Sequence, residues 1–230
     1  MTQRELPPQS TYEMHVAAHA QELVELLQDN PNDRLFIGIT GGPAAGKSTF
    51  ATDLAAQINQ KLQGESALVV PMDGFHRYNE DLKAHGLWEV KGTPITFNAQ
   101  RFIELLQAIQ NYPDQVVTGP LFDRTTDEPV EGALVITPHH RLIIVEGNYL
   151  LYDQPPWEQA RDFFTEVWYL ETPEAAVIPR LRDRHVKRGL VGVEIDIKIT
   201  STDMLNAQLI EETKARAHRV LHIPQDRMTG

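Results

Sequence analysis

The chain has 230 residues, 41% of them hydrophobic and 23% charged, which is ordinary usage for one globular domain able to bury a full core. No cysteine is present, so disulfides, thiolate metal sites and cysteine nucleophiles are excluded. Lys plus Arg number 21 against 32 Asp plus Glu, a net charge of −11; this argues against nucleic-acid or anionic-membrane partners and leaves any anion to a local basic cluster. No apolar run approaches ~18 residues, so no membrane-spanning helix is expected. The opening MTQRELPPQS has no apolar signal core, which fits a cytoplasmic protein.

Residues 10–29 read as an amphipathic helix, with Ser10 and Glu13 at capping-box spacing and Val16, Ala20, Leu23, Val24 and Leu27 on one face. That face has two candidate partners, the chain's own domain or a second copy, so a homodimer stays open. Asn30-Pro31-Asn32-Asp33 ends the helix. Leu35 to Thr40 is a short apolar run, expected as a buried parallel strand. A Gly-rich turn and a helix from Ser48 to Leu62 follow, then a second buried strand, Ala67 to Met72. Residues 73–97 are polar, aromatic and irregular, and a loop of that length is usually functional or disordered.

Phe102, Leu105, Leu106 and Ile109 mark another helix; Val116 to Leu121 reads as a strand and Gly132 to Thr137 as part of a small hairpin. Leu142 to Val145 and Val167 to Leu170 are two more core strands. Thr172-Pro173-Glu174 starts a helix, with Thr as cap, that runs to about Gly189. A helix over about 202–217 and a strand over 220–223 complete the chain. Apolar strands alternating with helices predict an α/β, doubly wound, mostly parallel sheet.

Gly41-Gly42-Pro43-Ala44-Ala45-Gly46-Lys47-Ser48-Thr49 matches G-x-x-x-x-G-K-[ST] between a buried strand and an amphipathic helix. Glycines let the backbone wrap a phosphate and turn its N–H groups inward, and the following helix offers its N-terminus to the same anion. Lys47 is suited to the β/γ-phosphates and the Ser48 hydroxyl to Mg²⁺. Two carboxylates directly follow strands: Asp73 after Leu68 to Met72, and Glu146 after Leu142 to Val145. In a parallel sheet those ends form the site, so both suit a Mg²⁺ shell or a substrate hydroxyl.

Around them, Met72 to Asn79, Lys91 to Phe97 and Leu121 to Arg124 would wall a pocket for a small polar molecule, with His76, Tyr78, Lys91, Asp123 and Arg124 as its polar candidates. Arg180, Arg184 and Arg188 fall on one helical face, a basic cluster in an acidic chain able to stabilise charge on a moving phosphoryl group.

These pieces together resemble the P-loop small-molecule kinases of the phosphoribulokinase, uridine kinase and bacterial pantothenate kinase superfamily. The likeness rests on Gly41 to Thr49, Met72 to His76, Lys91 to Asn98 and Ile144 to Leu151, with Arg180 to Gly189 similar to the lid and Thr202 to Asn206 to a segment after it. Within that superfamily, Pro71 to Asn79, Phe122-Asp123-Arg124 and Asp127 to Glu131 are similar to the nucleoside/nucleotide kinase branch, some of whose members are labelled fructose transport system kinases.

The resemblance implies a three-layer α/β sandwich of P-loop NTPase type, with an Arg-rich helical lid over about 175–200 and a substrate-binding insertion. It divides the chain into an N-terminal tail and helix, 1–33, and a kinase domain, 34–230. It implies ATP and Mg²⁺ as cofactors and a small-molecule hydroxyl as acceptor: a sugar, a nucleoside or a pantothenate-like compound. Asp73 would be the base facing that hydroxyl and Glu146 the Walker B-type acid near Mg²⁺. Lys47, Arg184 and Arg188 would be catalytic cations, Arg180 and Arg184 would also hold nucleotide, and Asn148 would face the acceptor. Asn98 stands where many members have Asp after the Phe, and it receives no role. The competing expectation is an NTPase or nucleotide-sensing module without an acceptor, which would share the phosphate loop.

Overall fold

The structure, a computed structural model, describes residues 11–224. Its strands are β1 (Leu35–Thr40), β2 (Ala67–Pro71), β3 (Val117–Asp123), β4 (Glu128–Ile136), β5 (Leu142–Glu146), β6 (Glu166–Glu171) and β7 (Arg219–His222). Its helices are α1 (Tyr12–Asp29), α2 (Lys47–Leu62), α3 (Asn79–Ala84), α4 (Ala99–Asn111), α5 (Glu174–Lys187), α6 (Val193–Lys198) and α7 (Met204–Glu212). Five strands form one parallel sheet in the order β2-β5-β1-β6-β7, while β3 and β4 form a separate antiparallel hairpin.

The central strands β1 and β5 are buried on both faces because their residues are apolar except at the last position. Ile37, Ile39, Ile144, Trp168 and Leu170 pack with the apolar faces of α1 and α2. The alternate residues Phe36, Ile143, Val145, Val167 and Tyr169 pack with α4, the turn at Trp157–Phe163 and Ile210 of α7. This gives three layers. The α1 face lies within the chain's own core: Tyr12 is fully buried and its hydroxyl donates to Asp53 of α2 at 2.9 Å. The predicted cap at Ser10 lies outside the described residues; Thr11 occupies the cap, accepting from the Met14 amide at 3.4 Å.

The segment 73–97 is a chain of short helical turns, Met72–Phe75, α3, Trp88–Val90 and Pro94–Thr96, too short to show periodicity. The hairpin is longer than Val116 to Leu121 and Gly132 to Thr137 suggest, because Pro129 and Gly132 interrupt the strand pattern of β4. Helix α5 is not capped by Thr172. Pro173 takes the cap position, and the Thr172 hydroxyl instead donates to the Ala45 carbonyl at 3.0 Å. The helix expected over 202–217 is α7 with a π-helical turn, Ile199–Asp203, before it and a 3-10 turn, Lys214–Arg216, after it. Asn98 caps α4, its side-chain oxygen accepting from the Arg101 amide at 3.2 Å.

One side chain ties the lower edge of the sheet to its flanks. Arg34 donates to the carbonyls of His140 (2.9 Å), Ile109 (2.9 Å), Pro113 (2.9 Å) and Thr137 (3.0 Å). A lysine has one nitrogen and cannot span these directions. Arg34→Lys should therefore lose ~2 kcal/mol, or about 4–8 °C in thermal midpoint; an unchanged midpoint in a thermal melt would refute the role.

Candidate active site

The phosphate loop leaves the carboxyl end of β1 and re-enters α2. Gly41 has φ +148°, and a Cβ there would lie 2.6 Å from the Leu170 carbonyl oxygen, so no side chain fits. Gly46 (φ +91°) and Ala44 (φ +58°) are left-handed, and Ala44 carries a strain of ~1–2 kcal/mol at this bend. Two clamps hold the loop from outside: Thr172 on the Ala45 carbonyl, and Arg180, whose Nη1 donates to the Ala44 carbonyl at 3.3 Å. Lys47, 8% exposed, donates its Nζ to the carbonyls of Gly41 (2.9 Å) and Gly42 (2.8 Å). Burial pulls its ammonium down to about 8, against the opposing pull of Glu146 and Asp73.

Register brings the acidic side alongside. Glu146 pairs across the sheet with Ile39 of β1 and Pro71 of β2, so the ends of three strands meet at its carboxylate. Its Oε1 accepts from Ser48 Oγ at 2.9 Å. Burial first, and the neighbouring Asp73 charge second, push this carboxyl up to about 7.

Asp73 sits in the turn just after β2, half-buried, and its carboxylate makes no hydrogen bond or ion pair among the described residues. Its charge is nevertheless felt by Lys47, Glu146, Tyr149, Arg184 and His76, so these groups surround one space. Gly74 lets this turn press on the hairpin, since a Cβ there would stand 2.3 Å from the Pro120 carbonyl oxygen.

The three arginines expected as lid cations diverge. Arg180 reaches the loop backbone. Arg184 donates its Nη2 to Asp203 Oδ1 at 2.8 Å and lies in range of Lys47 and Asp73. Arg188 faces outward to the hairpin tip, 3.8 Å from Asp127.

The residues expected around the acceptor separate likewise. His76 donates Nδ1–H to the Asp73 carbonyl at 2.8 Å, and its ring packs between Phe97 and Phe122; burial pushes it toward the neutral form. Lys91 is a strut, bound to Asn79 Oδ1 (2.7 Å) and Asp127 Oδ2 (2.7 Å). Asp123 is used by its own turn, accepting from the Thr125 amide (2.8 Å) and the Thr126 hydroxyl (3.0 Å). Tyr78 is 40% exposed and donates to Glu131 at 3.0 Å, away from the phosphate loop.

Arg124 makes no hydrogen bond or ion pair among the described residues, yet its charge reaches Glu146 and Arg184. The Asn148 carbonyl accepts from Thr40 Oγ1 at 3.1 Å, bracing the same edge.

A cavity of about 820 Å³ opens beside the phosphate loop, walled by Pro43, Leu170, Val177, Met204 and Ile223, with Glu171, Gln208 and His222 on its rim. It is large enough and apolar enough for a nucleoside. Pro43 belongs to the phosphate-loop motif; Leu170, Glu171, His222 and Ile223 are revealed by their position at the carboxyl ends of β6 and β7. For Mg²⁺ the donor set fits: Ser48 and Glu146 offer adjacent hard oxygens, and a buried carboxyl that titrates this high gains from a cation. Among the described residues no cluster of three acidic or histidine ligands exists, so phosphate and water would complete the shell.

The chain matches the model of the "Phosphoribulokinase / Uridine kinase family" over residues 36–225. It is 32% identical over 207 residues to a Schizosaccharomyces pombe protein provisionally assigned as a uridine kinase, covering 86% of each chain. The Saccharomyces cerevisiae ATP-dependent kinase YFH7 is 25% identical over 245 residues, covering 87% of this chain and 68% of that one. A crystal structure from Silicibacter sp. TM1040, provisionally assigned as a fructose transport system kinase, superposes with a TM-score of 0.80 at 36% identity, covering 90% of this chain and 98% of that one. No helix among the described residues is long and apolar enough to cross a membrane.

The Glu146 carboxyl titrates near 7 when folded against 4.5 when unfolded, so the folded state holds its proton more tightly. Its contribution is favourable below pH 4.5 and is lost as pH rises through 7. Glu146→Gln, a permanently neutral stand-in, should melt close to wild type at about pH 5 and above it at about pH 8. A variant less stable than wild type at the higher pH would overturn this assignment.

Proposed function

The chain belongs to the phosphoribulokinase/uridine kinase family, and on that premise we propose that it moves the γ-phosphate of ATP to a hydroxyl of a small polar metabolite at the Asp73 side of the phosphate loop. Kinase chemistry with ATP on a small molecule is the property of the family. The observation that carries the finer reading is the unpaired carboxylate of Asp73, within electrostatic range of both Lys47 and Arg184. A carboxylate with no partner of its own, beside the cations that receive a phosphoryl group, is available to an acceptor hydroxyl.

In this reading the apolar cavity takes the nucleoside and the loop N–H groups take the phosphates. Lys47 exchanges the carbonyls of Gly41 and Gly42 for phosphate oxygens, which recovers the solvation its buried ammonium lacks. Mg²⁺, held through Ser48 and Glu146, supplies charge neutralisation on the β/γ-phosphates when bound. Asp73 orients the acceptor hydroxyl and takes its proton as the oxygen attacks in line. Arg184 balances the charge on the transferred group, and Arg124, on the hairpin side, contacts the acceptor. Most of the acceleration is positioning and electrostatics. Sugars, nucleosides and pantothenate all present such a hydroxyl. The reading places the protein in the cytoplasm, where ATP is available.

The test is ADP release measured with MgATP and a panel of sugars, nucleosides and pantothenate. At least one acceptor should raise the rate, and Asp73→Asn should cut that stimulated kcat by at least ~10²-fold while leaving KM for ATP within about twofold. Release indifferent to every acceptor would favour a plain NTPase, and near-normal turnover in Asp73→Asn would remove Asp73 from the base role.

A further inference from the structure

The lid packs on itself through Val177, Leu181, Ile195 and Ile199, and inside that apolar setting lie two titratable side chains with no place in the chemistry above. His185 is 1% exposed and Asp203 is 5% exposed. The Asp203 carboxylate divides between two consecutive residues of α5: Oδ1 accepts from Arg184 Nη2 at 2.8 Å, and Oδ2 meets His185 Nε2 at 2.6 Å. Consecutive helical side chains diverge, so a carboxylate that reaches both is held in one orientation. Asp203 arrives there at the end of the π-helical turn Ile199–Asp203, where the extra residue also buries Thr202. Such turns recur at functional sites.

The arrangement leaves something undone on the arginine. With Oδ2 occupied by His185, Asp203 makes one bond to the guanidinium instead of the two-pronged pair that arginine and carboxylate otherwise prefer. Arg184 Nε is buried with no partner among the described residues. A buried donor without an acceptor is unfavourable, so the arginine's own hydrogen bonding is incomplete in this arrangement. Arg184 stands in electrostatic range of Lys47 on one side and Asp73 on the other, where the third phosphate would lie.

We propose that Asp203, backed by His185, is a positioning residue that fixes the Arg184 guanidinium for the γ-phosphoryl group; this rests on the kinase reading above. An unrestrained arginine would lose rotamer freedom each time phosphate bound, and the clamp removes that freedom beforehand.

Affinities of the full chain for MgADP and for the Mg²⁺ complex of adenylyl imidodiphosphate, measured by titration calorimetry, isolate what the third phosphate adds. In Asp203→Asn the MgADP affinity should stay within about twofold of wild type, while the added affinity of the triphosphate analogue falls by ~10-fold. In an Arg184→Ala background the same change should cost less than about twofold more, because the two residues act as one unit. A purely structural Asp203 would instead weaken both ligands together or add its full effect to Arg184→Ala, and either result overturns the proposal. Should Asp203→Asn not fold, His185→Gln must show the same selective loss, about threefold, and equal affinities there would overturn it. Wild type that fails to bind MgADP defeats the nucleotide reading itself; wild type that binds MgADP but gains nothing from the third phosphate defeats only the role given to Arg184 and Asp203.

Discussion

Lys47 holds a nearly buried ammonium between two carbonyls of its own loop, with Glu146 and Asp73 close enough to feel its charge. Three strand ends that are apolar up to their last residue thus finish in a small ionic cluster. Leaving these charges at a sheet edge closed off from water is unfavourable for the unliganded fold, which is why the lysine is pulled down toward 8 and Glu146 is pushed up toward 7. The same energetics that cost stability here favour an anionic ligand beside the lysine.

The elements outside the sheet are arranged around that cluster. Helices α6 and α7 touch the segment 88–92 directly: Lys198 donates to the Glu89 carbonyl at 2.9 Å, and Asn206 to the Gly92 carbonyl at 3.1 Å. The Tyr149 hydroxyl donates to that same Gly92 oxygen at 2.5 Å from the core. Asp127 at the hairpin tip holds Lys91 and faces Arg188. The segment 88–92 is therefore gripped from α6, α7, the hairpin and the sheet together. The cluster of Val177, Leu181, Ile195 and Ile199 is small and packs against Ala44 of the phosphate loop and Met204 of α7.

Much of the fold was legible from one dimension. The strands Leu35–Thr40 and Leu142–Glu146 are short and apolar up to their last residue, a pattern that suits a sheet covered on both sides. The phosphate loop needs no tertiary information, because its glycine spacing, lysine and hydroxyl are consecutive in the chain. The carboxylates were found by the rule that parallel strands place their sites at their carboxyl ends. Family likeness in the Lys91 to Asn98 and Ile144 to Leu151 stretches carried the kinase expectation, which the family match over residues 36–225 bears out.

What the linear order could not express is which polar groups remain free once neighbours have been satisfied. Lys91, Asp123 and Tyr78 look like pocket residues by composition, but folding gives each a partner: Asp127, the Thr125 amide and Glu131. Arg180, Arg184 and Arg188 share a helical face in sequence and still meet three different surroundings, because α5 runs past the phosphate loop, the turn before α7 and the hairpin in succession. The cavity beside β6 and β7 and the Asp203–His185 contact are assembled from segments separated in the chain. Residue types and their order determined a phosphate-binding α/β enzyme, since backbone curvature and strand burial are local properties. Only packing decided which charges were left without partners, because satisfaction of a buried polar group depends on what the rest of the chain brings within hydrogen-bonding distance.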